Sequence, residues 1–183
     1  MPPGPNRHFQ TLNDDAFRQH VANRAEALIL ARTGNRQEAM IAFDVNGQEV
    51  LSKLGRAAEI PFTREEIRLL TRNAYLVVHN HDDDTPPSEE DLIFLAGVGA
   101  QELVAFGGTI RCRLRREPGW PPTHQLLTAF HRVDRLVARS LYHDLQTGRY
   151  SGDPYLWPDR SSHVWDRFQR EFPEWFTLIR VER

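Results

Sequence analysis

Ala74-Tyr75-Leu76-Val77-Val78-His79-Asn80-His81-Asp82-Asp83-Asp84-Thr85-Pro86-Pro87-Ser88-Glu89-Glu90-Asp91-Leu92 runs from an apolar segment through acid and proline into a second apolar segment. The first segment, Ala74 to His79, is short, uniformly apolar and rich in β-branched residues, which predicts a strand buried on both faces. The second, opened by Ser88, predicts a helix to about Ala100. In an extended chain residues i and i+2 share a face, so His79 and His81 leave the strand end side by side. Two imidazoles so placed can grip one metal ion, and a catalytic zinc usually takes three protein ligands and leaves a position for water. Asp91 is the natural third ligand, because the helix starting at Ser88 turns it back towards the strand end. Ser88-x-x-Asp91 is also a capping box in its own right, a purely structural use of the same residues.

Working outward, Asn13 or Asp14 offers an N-cap for a helix to about Arg32, with Phe17, Val21, Ala25, Leu28 and Ile29 at helical spacing and Gly34 behind it. Met40 to Val45, Asn46-Gly47 and Gln48 to Ser52 read as a β-hairpin. A short extended stretch is expected at Ala58 to Phe62, and Thr63 with Glu66 caps the next helix. Two further strands are expected at Glu102 to Phe106 and Thr109 to Arg115. After the breaker Gly119-Trp120-Pro121-Pro122, Leu126, Phe130, Val133, Val137 and Leu141 mark a long amphipathic helix. A last helix carries Val164, Trp165, Phe168 and Phe172, and Phe176 to Val181 is a candidate final strand. This predicts an α+β architecture: a flexible N-terminal arm over 1–12, a core over 13–117, and a helical C-terminal extension over 118–183 packed on that core.

The His-x-His pair followed by Ser-x-x-Asp resembles the signature of the JAMM (JAB/MPN+) metalloprotease family. It is most similar to the bacterial and phage branch reading His-Asn-His…Ser-x-x-Asp-Leu, seen in RadC-like and in toxin- or phage-associated domains. The resemblance covers about residues 36–115 and implies a JAB/MPN-like mixed β-sheet flanked by helices. It also implies Zn2+ held by His79, His81 and Asp91, and hydrolysis of a peptide or isopeptide bond, with ubiquitin-like conjugates among the substrates of relatives. By the family's mechanism an upstream glutamate moves the proton of the attacking water and Ser88 donates to the developing oxyanion. Glu38, opening the strand Glu-Ala-Met-Ile-Ala-Phe-Asp, is the choice for that glutamate, with Glu49 and Glu59 as alternatives. Two departures stand out: Asp82 where the family usually has proline, and a loop between His81 and Asp91 one residue shorter than the commonest spacing. They keep open a non-catalytic scaffold with the same fold, or a metal-dependent toxin or effector acting as a deamidase or nuclease.

Composition narrows the field further. With 23 basic and 25 acidic residues the formal charge is −2, so nothing global drives the chain onto nucleic acid or an anionic membrane, and the partner that the resemblance implies is a protein or peptide substrate. Cys112 is the only cysteine, which excludes an internal disulfide, a Cys-rich zinc ribbon and a Cys-x-x-Cys redox motif. The opening Met-Pro-Pro-Gly-Pro-Asn-Arg-His has no apolar h-region, so the expectation is a soluble cytoplasmic protein, with signal-independent export as an effector open. Lys53 is the only lysine, so 22 of the cations are arginine. Arg111, Arg113 and Arg115 line one strand face, either as an edge strand protected by charge or as a surface for an acidic partner. Asp82, Asp83 and Asp84 read as a solvated loop. His124, His131 and His143 lack ligand spacing and read as surface or packing residues, and the C-terminal aromatics as packing.

Overall fold

The computed structural model describes residues 11–56, 60–81 and 84–182. The expected arm lies outside them up to residue 10, as do Ala58, Glu59, Asp82 and Asp83. The fold is α+β, a six-stranded mixed sheet flanked by five helices. Strands β1 (Ala39–Phe43), β2 (Glu49–Leu54), β3 (Leu76–Asn80), β4 (Glu102–Phe106), β5 (Ile110–Arg116) and β6 (Phe176–Glu182) lie in the order β2-β1-β3-β4-β5-β6. Only β3 and β4 run parallel; every other neighbouring pair is antiparallel. That parallel pair requires a crossover, and the helix α3 (Glu89–Val98) makes it.

Helices divide between the two faces. Helix α1 (Asp15–Thr33) covers one face, burying Val21, Ala22, Ala25 and Ile29 against Ile41, Leu76, Val78, Val104 and Phe106. Asp14 caps it, its carboxylate accepting Phe17 N–H at 2.7 Å, as the sequence predicts. The other face carries α2 (Arg64–Asn73), α3, α4 (Thr123–Gln146) and α5 (Trp157–Glu171). There the alternate strand residues Met40, Ala42, Val77, Leu103, Ala105, Cys112 and Leu114 meet Leu92, Leu95, Leu126, Phe130, Val133, Trp165 and Phe168. Strands β1, β3 and β4 are therefore buried at every position, which is why they read as unbroken apolar runs.

Residues 118–182 share this single sheet and core: β6 extends the sheet beside β5, and α4 and α5 pack on the same face as α3. Gly119 makes that junction possible. Its N–H donates to Glu174 O at 3.1 Å, and a Cβ there would stand 2.5 Å from the same oxygen.

Because β6 takes the edge, β5 is internal, and the expectation of a charge-protected edge strand for Arg111, Arg113 and Arg115 is corrected. Arg111 and Arg113 point under α1. Arg113 pairs with Glu102 at 2.9 Å and with Asp15 at 3.0 Å, Arg18 reaches the other side of Glu102 at 2.9 Å, and Arg111 lies 3.6 Å from Glu26. The stripe is an internal ion network between helix and sheet. Arg115 pairs with Glu117.

Candidate metal centre

The site begins with the pleat. In β3, Val77 and His79 face the α3 side while Val78 and Asn80 face α1, and His81 continues the first alternation one residue past the strand end. At the same level α3 starts. Ser88 is its N-cap: Ser88 Oγ accepts Asp91 N–H at 3.2 Å, and Asp91 Oδ2 accepts Ser88 N–H at 2.7 Å and Ser88 Oγ–H at 3.0 Å. The capping box thus aims Asp91 at the histidines. Gly99, at φ 72°, ends the helix in the left-handed region. The site lies at the carboxyl end of β3, beside its parallel neighbour β4, where open sheets with crossovers commonly hold their ligands.

His79 Nε2 lies 3.2 Å from Asp91 Oδ1 and His81 Nε2 lies 3.1 Å from Asp91 Oδ2, with the two rings edge to face at 4.8 Å. One donor atom from each residue falls within 4.8 Å of the others. Donors about 2.0–2.1 Å from a tetrahedral ion stand roughly 3.3 Å apart, and the two His–Asp separations of 3.2 and 3.1 Å are of that order, so the group could hold a metal ion. A second observation points the same way. His79 Nε2 is buried and makes no hydrogen bond, since its approach to Asp91 lacks the geometry. A buried ring nitrogen without a partner is an available ligand.

Burial and charge set the protonation states. Burial drives His79 down to about 4, against the pull of the Asp91 carboxylate. Burial also disfavours charge on His81, but the hydrogen bond it donates to Asp91 and the negative charge of that carboxylate outweigh it and raise His81 to about 9. Burial opposes ionisation of Asp91 as well, yet the neighbouring imidazoles and Ser88 N–H hold its carboxyl far below the usual range. At neutral pH the ion pair is therefore His81 with Asp91, and His79 is neutral. His81 Nδ1 faces Thr85 O at 3.2 Å and Thr85 Oγ1 at 3.3 Å. With Nδ1–H donated to that carbonyl, Nε2 is the nitrogen left for a metal.

The three candidate glutamates separate by position. Met40 pairs with His79 across the antiparallel β1–β3 ladder, so Glu38, two residues earlier on the same face, stands level with His81. Its side chain lines the same cleft as His79, His81, Ser88 and Asp91, and its charge adds to the raised pKa of His81. Glu49 lies opposite Phe43, at the far end of the sheet, and is exposed. Glu59 lies outside the described residues.

Several residues around the site carry no obvious sequence signal. Asn80, fully buried, accepts Ala39 N–H at 2.8 Å and donates to Gln37 O at 3.0 Å, clamping the backbone on both sides of Glu38. Its place between two histidines draws attention to them instead. Buried Trp165 donates its indole N–H to Pro87 O at 2.7 Å, tying α5 to the residue before Ser88. Asp84, expected in a solvated loop, accepts Thr109 N–H at 2.7 Å and Thr109 Oγ–H at 2.8 Å, which ties the loop to the β4–β5 turn. His131 meets Glu89 at 2.7 Å on the surface. Cys112 is buried, and burial pushes its thiol up to about 11, so it is no nucleophile. Among the described residues no helix is long and apolar enough to cross a membrane.

Comparison with family models, with curated proteins and with solved structures gives no match to this chain.

Proposed function

We propose that this chain is a zinc-dependent peptidase or isopeptidase of the JAMM type. One observation carries the reading: three ligand atoms converge at the carboxyl end of β3 while the Glu38 carboxylate lines the same cleft. His79 and His81 through Nε2 and Asp91 through a carboxylate oxygen would hold the ion. When bound, zinc would polarise the scissile carbonyl and lower the pKa of a bound water to about 7.

The chain's own groups do the rest. Glu38, on a strand paired to the histidine strand, takes a proton at its carboxylate as water adds to the carbonyl carbon, and delivers it to the leaving nitrogen as the C–N bond breaks. Ser88 Oγ, bonded to Asp91, orients that ligand, and Thr85 O fixes the His81 ring. In the alternative metal-free scaffold the same capping box and His81–Asp91 ion pair would simply join strand to helix.

Elemental analysis of purified protein is expected to give about one zinc per chain, with His79→Ala losing both the metal and amide hydrolysis. A protein with no zinc affinity, and an intact fold and biological function in the His79→Ala/His81→Ala double variant, would establish the scaffold instead.

A further inference from the structure

Beyond the histidines the cleft opens into an apolar chamber, about 530 Å³ in all. Its floor is Met40, Val77 and Leu103, each at most 2% exposed. Aromatic side chains build its walls. Phe62 and Phe94 stack at 5.2 Å, and Trp157 is contributed by α5. These rings are held from behind. Phe130 tilts against Trp157 at 6.1 Å, the Arg160 guanidinium sits 5.6 Å from the Trp157 ring centre, and Lys53 sits 5.3 Å from that of Phe62.

The charge of the cleft is one-sided. Apart from the histidines, the ionisable lining residues are Glu38, Glu90 and Asp91. The chain has 22 arginines and one lysine, yet none of those described lines the cleft, and Lys53 is committed to Glu66.

We infer that the substrate carries a bulky apolar side chain, aromatic or long aliphatic, on the residue next to the scissile amide. A chamber of this size with an aromatic wall gains nothing from glycine, whereas a phenyl or isobutyl group exchanges water for apolar contact. An acidic side chain in the chamber would meet the Glu38 and Glu90 carboxylates, with no described arginine or lysine lining the cleft to receive it. This rests on reading His79, His81 and Asp91 as zinc ligands, which marks where the scissile carbonyl lies.

The test uses two capped peptide hydroxamates that differ only in carrying phenylalanine or glycine beside the zinc-binding group, titrated calorimetrically into zinc-loaded protein. The phenylalanine probe is expected to bind about tenfold tighter or more. Phe94→Ala and Trp157→Ala, each checked for fold by circular dichroism, should shrink that ratio and leave the glycine probe unchanged. Equal binding of the two probes, or a preference that survives both variants, overturns the inference while the zinc reading stands. Should metal-depleted protein take up no zinc, the zinc reading falls on its own. The chamber is then tested with N-acetyl-phenylalaninamide against N-acetyl-glycinamide, where the same ratio and the same variants decide.

Discussion

His81 and His79 are chemically identical and stand two residues apart, yet their surroundings drive their pKa values in opposite directions. His81 is raised from 6.5 to about 9, so without metal its contribution to stability is complete below pH 6.5 and is lost as pH rises through 9. His79 is depressed from 6.5 to about 4, so its contribution holds above 6.5 and is lost as pH falls through 4. Urea unfolding of metal-depleted protein should accordingly show greatest stability near neutral pH, with losses on both sides. At pH 7 zinc must displace the proton that His81 shares with Asp91, so binding should release about one proton, measurable by calorimetry in buffers of different ionisation enthalpy. Asn80 makes a separate prediction. Asn80→Ala frees the backbone around Glu38, so kcat should fall by about tenfold or more while zinc content and KM hold. A purely structural role for Asn80 would lower stability and leave kcat per folded molecule unchanged.

At the scale of elements, much was legible. A five-residue apolar run ending in His-Asn-His, and a Ser-x-x-Asp capping box, are local signals, and each appears where the sequence places it. The distance between them is not local. It depends on α3 crossing back to make β4 parallel to β3, and on α5 reaching Pro87 from 78 positions away. The arginine stripe fails for the same reason, because its partners lie on α1 and its edge position is taken by β6. Trp165→Phe isolates the long-range bond: the ring packing remains and Pro87 O loses its buried donor. A loss of about 1–3 kcal/mol is expected in urea unfolding, with weaker zinc retention against a chelator. Unchanged zinc retention would separate α5 from the metal site.

Across the whole molecule, two apolar layers sandwich one sheet, and a charged cluster interrupts the α1 layer. Glu102 stands between Arg18 and Arg113 with its side chain 1% exposed. Glu102→Ala would leave Arg18 and Arg113 with only the exposed Asp15 carboxylate between them, with an expected loss of about 1–3 kcal/mol, read as a lower urea midpoint at an unchanged slope. The tie between Trp165 and Pro87 also orders events in time. Every proposed zinc ligand is synthesised before the residue that fastens their loop, Asp91, the last of them, preceding Trp165 by 74 positions. Until Trp165 emerges and α5 docks, the nascent chain holds its histidines and aspartate without the brace that sets their spacing. On the ribosome the proposed metal site would therefore stay unbraced until α5 has been made and has docked.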